Sequence, residues 1–210
     1  VALVAVISGR AAGDARRMLG SAGALVVGNH GAEWLEPGAV DTEVEPRLAG
    51  VPAALETLLG RLRQELRRHD GLSFDAKGLS ATLHYRNVAD PDRARADLLA
   101  AVARLGVPPE LEVREGRRSV ELRPLGVNKG GALRRIVERH ALRGVLLFGD
   151  DRTDIDAFRA ARELRHDGVI EALIAAVGGG PEVVPEVQRA ADVVLDSPAE
   201  LVELLRALAP

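Results

Sequence analysis

The sequence predicts an α/β protein: a core of alternating strands and helices around a parallel sheet, interrupted by a smaller α+β insertion of order α-β-β-α-β-β. Three observations carry this prediction. Short apolar runs at residues 1–7, 24–27, 144–148, 172–177 and 192–195 have the length and composition of buried strands. Helix-periodic stretches lie between them in both the first and last thirds of the chain. Between about residues 40 and 125 the pattern changes to helix, two strands, helix, two strands, which suits a small antiparallel sheet with two helices on one face. The expected division is therefore a discontinuous core, residues 1–39 and 126–210, flanking an inserted domain at 40–125.

Taken in order, the opening strand at 1–7 ends in Ser8-Gly9-Arg10, and a helix follows to Leu19. The strand at 24–27 runs into Gly28-Asn29-His30-Gly31-Ala32-Glu33, whose two glycines permit a tight turn. Residues 34–50, rich in Pro, Gly and Glu, read as a connecting hairpin or linker. Pro52 opens a helix to about Arg68 with Leu55, Leu58, Leu59, Leu62 and Leu66 on one stripe. Strands at 71–75 and 79–86 flank the turn Ala76-Lys77-Gly78, and Asp90-Pro91 starts the next helix. A further strand pair, 111–114 and 118–122, surrounds Glu115-Gly116-Arg117. Helices at 129–140 and 153–164 enclose the strand at 144–148. After the strand at 172–177 comes Gly178-Gly179-Gly180-Pro181, readable as an anion cradle or a plain turn. A strand at 192–195 and a helix at 198–208 complete the order.

Composition excludes several classes. The net charge is −3 and aromatic residues make up 2%, so neither a nucleic-acid footprint nor a base-stacking platform is expected. No apolar run is long enough to span a bilayer and no signal peptide is visible, so a soluble, cytoplasmic protein without a membrane partner is the expectation. There is no cysteine, hence no disulfide and no thiolate chemistry. Of 28 basic residues only Lys77 and Lys129 are lysines. Two readings stand: chance exchange on an arginine-rich surface, or sites that need a compact point charge rather than a guanidinium fork. Opening on Val1, directly in a strand pattern, the chain has the look of a fragment of a longer product.

The chemistry gathers at predicted strand ends, where open α/β sheets bind their ligands. The densest signal is Gly149-Asp150-Asp151-Arg152-Thr153-Asp154. Carboxylates crowded at a sheet edge repel unless a cation neutralises them, and an oxygen-only set suits Mg²⁺. The same run also reads as a helix cap, with Asp151 or Thr153 at the N-cap. Ser8, after the first strand, offers a hydroxyl and nearby N–H groups for phosphate oxygens, or simply a cap. Lys129, at the start of a helix in Gly126-Val127-Asn128-Lys129-Gly130, can neutralise a phosphoryl group. A solvated lysine there would oppose the helix dipole. The spacing does not match a Walker A loop, which excludes that class of nucleotide hydrolase.

A hydroxyl, a lysine and an acidic cluster in this chain order resemble motifs two to four of the haloacid dehalogenase (HAD) superfamily of phosphohydrolases. Within it the chain is most similar to the trehalose-6-phosphate phosphatase family. The likeness rests on residues 6–10, 28–33, Lys77 with 83–86, 121–124, 126–130 and 149–154, and covers nearly the whole chain. It implies a HAD-like Rossmannoid core with a cap, and Mg²⁺-dependent hydrolysis of a sugar phosphate. Ser8 and Lys129 would be catalytic phosphate contacts. Asp150, Asp151 and Asp154 would hold the metal, Asp150 directly. In the cap, Lys77, Glu121 and Asp75 would grip sugar hydroxyls, with Asp75 standing where the family usually has Glu. Arg10, Asn128, Arg123, His30 and Glu33 would line the substrate site, although His30 and Glu33 could equally serve only to shape their loop.

One family element is absent from these 210 residues: the Asp-x-Asp-Gly-Thr strand that carries the attacking carboxylate. The expectation is a longer gene product in which an aspartyl-phosphate forms on that segment, and no turnover by this stretch alone. Alternatives within reach of the sequence are another sugar-phosphate phosphatase of the same cap type, a phosphosugar mutase, or a non-catalytic sugar-phosphate-binding pseudophosphatase. A receiver-type phosphoacceptor domain is disfavoured by the inserted cap. The sequence names no protein partner.

Overall fold

The computed structural model describes residues 3–178 and 184–208. Contacts divide the chain into two compact units, one formed by residues up to Ile7 together with those from Val127 onward, the other by Ser8–Gly126. The sequence reading puts the later break between residues 125 and 126, and the contact division puts it between Gly126 and Val127. Residues 8–39, which the sequence reading groups with the core, cluster here with 40–126.

The first unit opens with β1 (Ala5–Ile7). In the second unit α1 (Ala12–Leu19) precedes an antiparallel meander of β2 (Leu25–Gly28), β3 (Glu33–Leu35) and β4 (Glu43–Val44), with Val27 opposite Trp34 and Glu33 opposite Val44. A 3-10 turn covers Asn29–Gly31. Residues 34–50 are thus more ordered than a linker: Trp34 and Leu35 are buried, and the Trp34 indole donates to the Gly31 carbonyl at 2.9 Å. Arg16 ties this region together by donating to the carbonyls of Ala24, Leu35, Glu36 and Ala39 at 2.7–3.0 Å. Four carbonyls converging on one guanidinium is a long-range arrangement that no local pattern announces.

The same unit continues as α2 (Val51–Glu65), β5 (Ser73–Ala76), β6 (Ala81–His84), α3 (Pro91–Leu105), β7 (Leu111–Gly116) and β8 (Ser119–Pro124). This is the expected α-β-β-α-β-β order. The four strands form an antiparallel sheet in the order β5-β6-β8-β7. Its apolar positions Leu83, Val120 and Leu122 are fully buried, as are Leu59 and Leu62 of the α2 stripe and Leu98 of α3. Burial of each such side chain contributes about 2 kcal/mol. Asp90 caps α3, its side chain accepting from the Arg93 N–H at 3.0 Å.

The first unit resumes with α4 (Lys129–Arg139), β9 (Gly144–Gly149), α5 (Asp154–His166), β10 (Glu171–Val177), α6 (Pro185–Arg189), β11 (Val193–Leu195) and α7 (Pro198–Leu208). The strands are parallel in the order β11-β10-β9. Leu133, Val137, Phe158, Ala161 and Ile174 form its core, joined by Val145 and Leu147. The expectation that residues 144–148 are buried throughout is corrected: Leu146 is 47% exposed beside its β10 neighbour Leu173 at 45%. Among the described residues, the helices cover the Val145 and Leu147 side of β9, so alternate residues face outward. The short helix α6 was not anticipated. Part of the Gly-rich segment considered as an anion cradle, Gly179 and Gly180, lies outside the described residues.

Candidate active site

The residues singled out by sequence fall into two groups, one in each unit. In the first unit β9 ends at Gly149, and the chain turns through Asp150–Thr153 into α5. Asp154 shapes that turn. Its Oδ2 accepts the N–H groups of Asp150 and Asp151 at 3.0 and 2.9 Å, while its Oδ1 accepts from Lys129 Nζ at 2.6 Å. Both side chains of the Lys129–Asp154 pair are 11% exposed, so neither charge is strongly screened by solvent. A Cβ on residue 149 would lie 2.6 Å from the Asp154 side chain, so glycine there lets the carboxylate tuck beneath the strand end.

The remaining acids are placed differently. Asp151 is exposed and accepts the Arg152 N–H at 2.6 Å; Asp150 is exposed at the carboxyl end of β9. The capping reading of this run is not what the structure has: Thr153 occupies the cap position of α5 without a side-chain cap bond. Among the described residues no three Asp, Glu or His side chains are grouped as a complete cation site. Asn128 is the N-cap of α4, accepting the Gly131 N–H at 2.8 Å, which fixes where Lys129 leaves the helix.

The second unit holds the other group. Ser8 Oγ accepts the Arg10 N–H at 3.1 Å, and its backbone is pinned by Val27 and His30 at 2.8 and 2.9 Å. Arg10 is exposed. Gly28 ends β2 against the start of α1; a Cβ there would meet the Ala12 nitrogen at 2.3 Å. That approach lets Glu33 reach the helix end, where its Oε2 accepts the Ala12 N–H at 2.6 Å. Burial raises the Glu33 pKa, and hydrogen bonds from Ala12 and Asn29 only partly offset it.

In the cap sheet, register places Asp75, Thr82, Glu121 and Arg114 in one cross-strand row. Lys77 Nζ donates to Thr82 Oγ1 at 2.9 Å and lies 3.6 Å from Asp75. Glu121 Oε1 is 3.5 Å from His30 Nε2. Burial raises the Glu121 pKa, but the His30 ring and the charges of Lys77 and Arg123 outweigh it and hold the carboxyl below its ordinary value. Arg123 donates to Glu112 at 2.8 Å. The structure therefore brings Lys77, Asp75, Glu121, His30 and Glu33 into one polar region. Sequence reasoning missed three members, Asn29, Ser80 and Thr82. The signal for Asn29 was present: an Asn between glycines favours left-handed backbone, and here φ is 46°.

A two-unit α/β protein with a lysine–aspartate pair at a parallel-strand end and an α-β-β-α-β-β cap has the fold of HAD-like hydrolases. A haloacid dehalogenase-like hydrolase from Bacteroides thetaiotaomicron aligns with a TM-score of 0.68 at 14% identity, covering 98% of this chain and 86% of that one. The chain belongs to the trehalose-phosphatase family, whose model matches residues 2–187. The C-terminal domain of Candida albicans trehalose-6-phosphate phosphatase aligns with a TM-score of 0.69 at 22% identity, over 99% of this chain and 80% of that one. A trehalose-phosphate phosphatase of Mycolicibacterium paratuberculosis is 36% identical over 98% of this chain, and an uncharacterized glycosyl hydrolase of Mycobacterium tuberculosis 38% identical over 76% of it. The chain spans 52% of the first of these proteins and 12% of the second.

Proposed function

We propose that the protein is a cytoplasmic phosphatase that hydrolyses trehalose 6-phosphate to trehalose and phosphate, with Mg²⁺ as its cofactor and an aspartyl-phosphate as its intermediate. The observation that carries the reading is the Lys129–Asp154 pair, 2.6 Å long and largely shielded, beside the exposed Asp150 at a parallel-strand end. Family membership supports the same reading. Lys129 would neutralise charge on the transferring phosphoryl group, with Asp154 holding the ammonium in place. Ser8 and the N–H groups near it would bind phosphate oxygens.

The acids fit a hydrated Mg²⁺, which takes one or two protein carboxylates and keeps several waters. Asp150 would be its direct ligand and Asp151 would act through water; Asp154 would support them by ordering the loop. When bound, the ion would supply positive charge against the phosphate oxygens. The attacking carboxylate is assigned to none of the residues in this chain. Lys77, Glu121 and Asp75 would read the sugar, with Arg10, Asn128, Arg123, His30 and Glu33 shaping or lining the site. The division into a core, 1–39 with 126–210, and a cap, 40–125, belongs to the same proposal. No described helix is long and apolar enough to cross a membrane, and the small net negative charge gives nucleic acid no attraction.

The test is phosphate release by the full-length protein from trehalose 6-phosphate and glucose 6-phosphate, with and without Mg²⁺. Preferential, Mg²⁺-dependent hydrolysis of the disaccharide ester is expected. Equal rates on both esters would remove the sugar assignment, and full activity in chelator would remove the metal.

A further inference from the structure

Asn29 stands at the centre of a buried hydrogen-bond network. It is fully buried in a polar loop, and two consecutive non-glycine residues there, Asn29 and His30, have left-handed backbones with φ of 46° and 62°. Such conformations are costly and persist only where surroundings hold them. The Asn29 side chain uses both of its donors and its acceptor. Its Nδ2 donates to Glu33 Oε1 at 2.7 Å and to the Lys77 carbonyl at 3.1 Å, and its Oδ1 accepts from Ser80 Oγ at 2.5 Å. The Asn29 N–H also donates to the Arg10 carbonyl at 2.8 Å. Ser80, like Asn29, is fully buried.

These bonds grip the Lys77–Ser80 turn at both ends. The turn closes on itself through Lys77 N–H to Ser80 O at 2.8 Å and Leu79 N–H to Lys77 O at 3.0 Å. From it Lys77 reaches Thr82, which stands opposite Glu121 in the neighbouring strand. The next residue in the loop, His30, lies 3.5 Å from Glu121. The Asn29–His30 pair therefore touches the backbone of Lys77 and the side chain of Glu121, two of the residues assigned to sugar recognition.

We propose that Asn29, together with Ser80, is a positioning pair that sets Lys77 and Glu121 at the spacing needed to bind the sugar part of the substrate. It acts on sugar affinity rather than on phosphoryl transfer. The inference rests on the sugar-phosphate phosphatase reading above. Removing the amide takes one of two donors from the Lys77 carbonyl and one of two from the Glu33 carboxylate, and loosens the hold on the turn. Glycine at position 29 keeps the left-handed backbone and removes only the side chain.

The experiment compares wild type, Asn29→Gly and Ser80→Ala in the full-length protein, with trehalose 6-phosphate and with phenyl phosphate, an ester lacking any sugar. Melting curves run in parallel. The expected result for Asn29→Gly is a KM for trehalose 6-phosphate raised about tenfold with kcat within about twofold, and phenyl phosphate kinetics unchanged. Ser80→Ala, which removes one of the three side-chain bonds, should shift the same KM by a smaller factor and keeps the idea testable if the glycine variant does not fold. Parallel losses on both esters, or no change on either from either variant, would overturn the positioning role. A wild type inert toward both esters would instead overturn the phosphatase reading, and this proposal with it.

Discussion

The Lys129–Asp154 loop and the Lys77–Glu121 region handle charge in opposite ways. The acids of the first are neighbours in sequence, a strand end, four turn residues and a helix start supplying Asp150, Asp151 and Asp154, and one capped helix 25 positions before Asp154 supplies Lys129. The second is assembled from distant segments, with Asn29, Lys77, Ser80 and Glu121 joined across turns and sheet register. A local loop fixes a few atoms tightly with little support from elsewhere. A long-range network depends on several segments keeping their spacing, so its members fail together when one hub is lost. The difference matches the division of labour proposed here, in which phosphate chemistry tolerates no variation and sugar reading can be tuned.

Lys129 puts that contrast to its largest test. Replacing it with Ala should lower phosphate release from trehalose 6-phosphate by about 10²- to 10³-fold, the usual cost of a lost transition-state charge contact. Lys129→Arg should not restore it, because a planar fork cannot replace a point charge 2.6 Å from Asp154. Recovery of more than half the rate by Arg would show that this loop is less exacting than its geometry implies. Asp150→Asn comes next. The apparent Mg²⁺ affinity should weaken by at least about tenfold, measured as activity against free Mg²⁺. The melting temperature should stay near that of wild type, since the side chain is exposed.

On the sugar side the expected effects are smaller and selective. Lys77→Ala and Glu121→Gln should each raise KM for trehalose 6-phosphate about tenfold and leave hydrolysis of phenyl phosphate unchanged. The double variant should lose less than the product of the two single losses, because Lys77 lies among the charges that lower the Glu121 pKa. Strict multiplication would show that the two residues act independently, and the network description would fail.

The same contrast explains what could be read from sequence. The α-β-β-α-β-β order and the parallel strands were legible because each rests on local periodicity and on turns rich in Gly, Pro and Asp. The acidic loop was legible because its residues are adjacent in the chain, and Lys129 because it is one of two lysines and opens a helix; their pairing across 25 positions was not. Thr82 and Ser80 were not, because their partners are set by pairing with Glu121 and by the Asn29 amide, 51 positions from Ser80. The Arg16 clamp escaped for the same reason: an arginine on a helix gives no sign of which carbonyls it will meet. Leu146 was misjudged because an apolar run does not reveal whether one or both faces of its strand are covered.

Glu33 provides the mildest and cleanest probe of the long-range region. Its carboxyl is buried with a raised pKa, so the folded state holds the proton more tightly than the unfolded chain does. The sign follows: its contribution to stability is complete below the unfolded value near 4.5 and is lost as pH rises through the higher folded value. Glu33→Gln removes that titration and one of the two acceptor contacts, to Ala12 or to Asn29, at a cost of about 1 kcal/mol. Urea unfolding of both proteins from pH 4.5 to 8 should show wild type ahead at the acid end and the gap narrowing toward neutral pH. Glu121, whose pKa is lowered, acts in the opposite sense and below this window: its contribution is lost as pH falls through its folded value. A gap that widens with rising pH would mean that the hydrogen bonds from Ala12 and Asn29 outweigh burial at Glu33. The buried loop would then favour the carboxylate, and the two regions would handle negative charge alike.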